Sequence, residues 1–79
     1  MTVRVLLFAS YAEALGRSEI AVDVPGDAKV SDVLSQVRAL ANGRELPEPM
    51  VAVNASYAEP GQTISAGDEI AIIPPVAGG

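Results

Sequence analysis

Val30-Ser31-Asp32-Val33-Leu34-Ser35-Gln36-Val37-Arg38-Ala39-Leu40 decides how the rest of this chain is read. Val30, Val33, Leu34, Val37 and Leu40 recur at helical spacing and form one apolar stripe, which predicts a helix over 30–41. Asp32 falls in its first turn, where a negative charge suits the helix dipole. Lys29 is a poor N-cap, so Ser31 is an alternative start, and Asn42-Gly43 supplies the stop. An amphipathic helix needs a surface to cover, and the flanking segments supply one.

Upstream, Thr2 to Phe8 is β-rich, with Val3, Val5 and Leu7 on one face and Arg4, Leu6 and Phe8 on the other. Because Leu6 and Phe8 are also apolar, both faces of this strand are expected to be largely buried. Ser10 and Glu13 have the spacing of a capping box for a short helix ending at Leu15, with Gly16 as its stop. Glu19 to Val24 alternates, with Ile20, Val22 and Val24 inward, and Pro25-Gly26-Asp27 closes it with turn chemistry.

Downstream, residues 43 to 49 read as a loop, Met50 to Val53 as a short strand, and the region of Tyr57 as a brief one. Pro60-Gly61 and Ala66-Gly67-Asp68 mark turns. Glu69 to Pro74 is a last strand expected to be buried on both faces, as the first is. Such strands around one main helix define an α+β domain, a mixed sheet with the helix packed across one face. The first and last strands are expected side by side at its centre. Residues 1–74 form the body and residues 75–79 a flexible Gly-Gly tail.

Composition narrows the chemistry. The 79 residues contain no cysteine and no histidine, and the hydrophobic 49% includes only three aromatics, so the core is aliphatic. Disulfides, thiolate nucleophiles and the usual nucleophile–base pairs are excluded, and zinc or haem lacks its ordinary ligands. Ten acids against five bases give a net charge of −5, which argues against nucleic acid and suits a partner with a basic surface. No apolar run has the length of a membrane span, and the opening residues lack the pattern of a signal peptide, so the cytoplasm is the expected compartment. Asp68 and Glu69 read as turn and strand-edge residues, Lys29 as a solvated lysine, and Tyr11 and Tyr57 as packing residues with exposed hydroxyls.

What remains is the end of the chain. Pro74 and Pro75 hold it extended as it leaves the last strand, and Pro75, Val76, Ala77, Gly78 and Gly79 could reach about 17 Å. Glycine threads narrow channels and leaves a terminal carbonyl unshielded. A free carboxylate is a poor electrophile, so it acts only if a partner activates it, for example as an acyl-adenylate, after which it accepts sulfur or forms an amide.

The stretch Gly67-Asp68-Glu69-Ile70-Ala71-Ile72-Ile73-Pro74-Pro75-Val76-Ala77-Gly78-Gly79 closely resembles the C-terminal signature of the sulfur-carrier subunits of molybdopterin synthase. Val3 to Ala9, Glu13-Ala14-Leu15-Gly16 and Val51-Ala52-Val53-Asn54 agree with it, so the resemblance covers nearly the whole chain. The departures are Tyr11-Ala12, where Leu-Arg is common, and Lys29, where Thr or Ser is usual.

The resemblance implies a β-grasp, ubiquitin-like fold with parallel first and last strands. It implies that no cofactor is bound and that a ubiquitin-activating-like adenylyltransferase uses ATP to adenylate Gly79. A sulfur donor protein then makes the thiocarboxylate. The tail (Pro75, Val76, Ala77, Gly78) enters the large subunit of molybdopterin synthase in a heterotetramer, and the sulfur passes to cyclic pyranopterin monophosphate in molybdenum cofactor biosynthesis. Docking is expected through the sheet near the last strand, with Phe8, Ile72 and Pro74 as candidate contacts. Relatives serving thiazole or cysteine synthesis, or protein modification, also end in Gly-Gly, and a non-catalytic ubiquitin-like interaction module is the remaining alternative.

Overall fold

A computed structural model describes residues 1–42 and 44–75. Five strands and two helices follow one another as β1 (Thr2–Leu7), α1 (Ala9–Leu15), β2 (Glu19–Asp23), α2 (Val30–Leu40), β3 (Met50–Val53), β4 (Ser56–Ala58) and β5 (Glu69–Ile73). The strands form one mixed sheet in the order β2-β1-β5-β3-β4. β1 and β5 run parallel at its centre, with Val5 opposite Ile70 and Leu7 opposite Ile72. β2 pairs antiparallel with β1, and β3 pairs antiparallel with β5 and β4.

The core lies on one face of this sheet. Val3, Val5 and Leu7 of β1, Ile20 and Val22 of β2, Val51 and Val53 of β3 and Ile70 and Ile72 of β5 meet Val30, Val33 and Val37 of α2. Tyr11 and Ile64 are also enclosed. The expectation of strands buried on both faces is corrected. In β1 Thr2 and Arg4 are exposed and Leu6 is half-buried, while in β5 Glu69, Ala71 and Ile73 are half-buried. A single main helix covers one side of a sheet, so the other side stays open.

The stripe on α2 is narrower than its sequence pattern. Leu34 is half-buried and Leu40 is exposed, whereas Ala41, just past the helix, is buried. At about 100° per residue, Leu40 and Ala41 lie about 50° to either side of the mean direction of Val30, Val33 and Val37, and it is the Ala41 side that is covered.

Helix starts depend on more than capping side chains. Ser31 is not the cap of α2: Lys29 is. Its backbone N–H donates to the Asp32 carboxylate at 2.8 Å. The next two donors, Val30 N–H and Ser31 N–H, reach the carbonyls of Gln62 and Pro60, each at 3.0 Å. A loop thus satisfies the orphan amides that a Ser or Thr cap would otherwise share. Nor do Ser10 and Glu13 form a capping box. Phe8 caps α1 with extended backbone and no side-chain bond, which places Ser10 inside the helix. Gly16 ends α1 as expected, at φ +70°. Asn42 turns left-handed after α2, at φ +57°, and Gly43 lies outside the described residues.

Candidate functional site

The functional candidate in this chain is a chain end, so the site begins where β5 delivers it. β5 sits between β1 and β3, bonded along both edges, and carries the chain through the middle of the sheet to Pro74 and Pro75. Pro74 is buried and Pro75 is exposed, so the chain leaves the body between these two residues. Proline has no N–H to donate to a ladder and fixes φ, so the pair ends strand pairing while keeping the chain extended.

Alternation and register define the open face around this root. Leu6 lies opposite Ala71, Ala71 opposite Ala52, and Ala52 opposite Tyr57. The next row toward the tail pairs Ile73 with Met50. Phe8 follows β1 in extended conformation, at φ −130° and ψ 151°, on the face of Leu6. Phe8 is 46% exposed, Met50 52% and Tyr57 71%, on the sheet face opposite the core. Residues of this kind grouped beside the root of the tail form a strip suited to a partner.

Charge borders the strip at the other end of the same face. Arg4 Nε lies 3.4 Å from Glu19 Oε1, and the same guanidinium pairs with Glu69. The adjacent turn is built from its own polar groups. Ser65 N–H donates to Asp68 Oδ2 at 2.8 Å, and Asn54 Nδ2 donates to Asp68 Oδ1 at 2.9 Å. These bonds, the backbone one foremost, hold the Asp68 carboxyl below its ordinary range. Glu69 N–H in turn donates to Asn54 Oδ1 at 3.0 Å. Asp68 and Glu69 therefore serve the turn and the strand edge.

Of the proposed docking residues, Phe8 is at the surface, but Ile72 and Pro74 are not. Ile72 has no exposed surface, because the parity of β5 turns it toward α2 and the core. Its strand neighbour Ile73 faces outward instead. Leu6, Met50, Tyr57, Ala71 and Ile73 were missed as surface residues. Arg4 was the available signal: it shares a face with Leu6, and a charge in mid-strand marks that face as open. Val76, Ala77, Gly78 and Gly79 lie outside the described residues.

The tyrosines also differ from expectation. Tyr57 is an exposed surface residue rather than a packing one. Tyr11 is fully buried, and its hydroxyl donates to the Pro47 carbonyl at 2.6 Å, so it is bonded rather than solvent-exposed. Burial pushes the Tyr11 phenol above its ordinary value, against the opposing effect of Arg38 nearby. Among the described residues, no group of three or more His, Cys, Asp or Glu side chains could hold a metal ion, and no helix is long and apolar enough to cross a membrane.

A mixed sheet with parallel central strands and one helix laid across it defines a ubiquitin-like β-grasp protein. A ubiquitin from Caldiarchaeum subterraneum superposes with a TM-score of 0.69 at 20% identity, covering 100% of this chain and 98% of that one. The chain belongs to the ThiS family, whose model matches residues 5–79. It is 39% identical over 83 residues to small archaeal modifier protein 1 of Haloferax volcanii, covering 92% of this chain and 95% of that protein. The crystal structure of that relative superposes with a TM-score of 0.84, covering all of both chains at 34% identity. The molybdopterin synthase sulfur carrier subunit of Dictyostelium discoideum is 37% identical, with 96% of this chain and 94% of that one covered.

Proposed function

We propose that this protein is a sulfur carrier, the small subunit of a molybdopterin synthase, and that its chemistry takes place at the carboxyl of Gly79. The observation that carries this reading is the path of β5. The strand leads a Pro-Pro-Val-Ala-Gly-Gly ending out of the sheet centre beside an open apolar strip. The strip docks on a partner, and the tail extends from its margin into that partner's active site. The similarity to a named sulfur carrier subunit supports the same assignment.

The body docks and orients, and partners supply the reactive groups. A ubiquitin-activating-like adenylyltransferase transfers AMP from ATP to a Gly79 carboxylate oxygen and releases pyrophosphate. Sulfur from a donor protein then replaces AMP at the carbonyl carbon, leaving a thiocarboxylate. Sulfur is a better nucleophile than the oxygen it replaces, and it passes to cyclic pyranopterin monophosphate in the large subunit. Water then attacks the acyl carbon, the carbon–sulfur bond breaks with the sulfur left on the substrate, Gly79 returns to a carboxylate and the carrier is recharged. The assembly is a heterotetramer with two large subunits at its centre, in the cytoplasm, where ATP-dependent activation takes place.

The similarity to small archaeal modifier protein 1 favours a second reading, in which the activated carboxyl is transferred to amines of other proteins. Reconstitution with a large subunit, the adenylyltransferase, ATP, a sulfur donor and the pyranopterin substrate separates the two. Sulfur transfer that disappears on deleting Gly79, with an intact-mass shift of one oxygen exchanged for sulfur in the wild type, supports the carrier. Activation without sulfur transfer points to the modifier, and sulfur transfer unaffected by the deletion removes Gly79 from the chemistry.

A further inference from the structure

β2 is one edge of the sheet, and the ladder fixes what that edge offers. Leu7 N–H donates to the Ser18 carbonyl at 2.9 Å and Val24 N–H to the Met1 carbonyl at 2.8 Å, so the even-numbered residues here bond to β1. In an antiparallel pair the alternate residues point their backbone groups the other way. Glu19, Ala21 and Asp23 therefore aim N–H and C=O outward. Of these groups, among the described residues, only the Asp23 carbonyl has a partner, Gln36 Nε2 at 2.6 Å. The opposite edge, β4, spans three residues, and short edges resist pairing, whereas β2 spans five.

Leu40 borders the same edge. Gln36 and Leu40 are one turn apart on α2, about 6 Å, so the helix runs from Asp23 back toward Ala21. There Leu40, which is exposed, lines a groove of about 280 Å³ with Leu15, Arg17, Ile20 and Ala21. Charge selects the occupant. Arg17 and Asp23 are exposed and, among the described residues, neither is in an ion pair, whereas Glu19 has Arg4. If a second β2 lies antiparallel with Ala21 opposite Ala21, Glu19 opposes Asp23 twice. With Glu19 opposite Glu19, like charges meet again. With Ile20 opposite Ile20, Arg17 opposes Asp23 twice and each Glu19 faces an alanine. That register also suits the backbone. The Arg17 N–H is spent on the Ala12 carbonyl at 3.2 Å and the Asp23 carbonyl on Gln36, so the one donor and acceptor it would bring together need nothing further.

We propose that β2 pairs antiparallel with β2 of a second copy of this chain about a two-fold axis at Ile20, which continues the sheet across a homodimer. Glu19 and Ala21 of each copy exchange backbone bonds with Ala21 and Glu19 of the other, and Asp23 N–H donates to the Arg17 carbonyl. Arg17 meets Asp23 on the open face, while Ile20 and Leu40 meet their counterparts on the helix side. In-plane pairing keeps both open faces on the same side, with the two copies of β5 running in opposite directions. Phe8, Met50, Tyr57 and Pro75 stay clear of the contact, so the dimer is independent of any chemistry at Gly79.

The test is sedimentation equilibrium of the full chain from about 10 μM to about 1 mM, the range in which small interfaces associate. A dimer that grows with concentration is expected. Arg17→Asp and Asp23→Arg should each weaken it by about tenfold or more, and the double exchange should restore it. Leu40→Glu should weaken it too, with an unchanged melting temperature, because the side chain is exposed. A monomer at the top of that range overturns the proposal, as does a dimer that Leu40→Glu leaves intact or that the double exchange fails to restore. A dimer broken by Phe8→Asp or Met50→Asp assigns the contact to the open strip and overturns pairing through β2. Where an exchange lowers the melting temperature, Leu40→Glu decides.

Discussion

Tyr11 joins α1 to a loop that has no regular structure of its own. Its ring fills the core while its hydroxyl reaches Pro47, and beside it Arg38 holds Glu48 at 2.8 Å. The sequence indicated a packing tyrosine but not its partner, because Pro47 is 36 residues away and its carbonyl carries no side-chain signature. Tyr11→Phe keeps the ring and leaves the Pro47 carbonyl without its donor. It is expected to cost about 1 kcal/mol, read as a lowered denaturant midpoint. Asp68 provides a pH test. Its folded carboxyl lies below its unfolded value of 3.8, so its contribution is present above that value and is lost as pH falls through the lower, folded one. Titration of the Asp68 carboxyl by NMR should show a midpoint below 3.8, and Asn54→Ala should move it upward by removing one donor.

Hairpin geometry leaves one element under strain. Val53 pairs with Ser56, so Asn54 and Ala55 alone make the turn, with φ of +50° and +70°. A two-residue turn of that hand favours Asn followed by Gly, and an L side chain in the second position is disfavoured. Ala55→Gly should stabilise the domain by about 0.5–1 kcal/mol, measured as a higher melting temperature. All five strands were legible, because alternation and turn residues are local signals. The start of α2 was not. Its first N–H groups bond to carbonyls of a loop some 30 residues later, and backbone acceptors are identical whatever the side chain. The exposure of Leu40 was also hidden, since spacing alone does not show how wide a face the sheet will cover.

Across the whole molecule, the two faces of the sheet differ: one holds the core together and the other carries the exposed Phe8, Met50 and Tyr57. Ile72 and Ile73 are adjacent in sequence and lie on these opposite faces. The sequence placed the candidate surface beside the last strand, but the strong hydrophobicity of β1 and β5 concealed which parity faced out. Phe8→Asp and Met50→Asp should each weaken binding to a large subunit by tenfold or more with little change in melting temperature, as both side chains are about half exposed. Ile72→Asp should instead unfold the domain, because it buries an unpaired charge. Calorimetric titration alongside thermal denaturation distinguishes the two outcomes.

The parallel pairing of β1 with β5 also bears on how the protein is made. On the ribosome, the first strand emerges with its core neighbour still unsynthesised, and β2, α2, β3 and β4 all follow before residues 69–73 can fill the gap. Pairing between such distant segments closes late, because the intervening loop must be ordered first. A nascent chain that stalls before β5 has an open seam at the centre of its sheet and lacks the strand that carries the ending. Folding therefore closes only once the last strand is in place, and on the proposed function an unfinished molecule has no Gly79 to be activated.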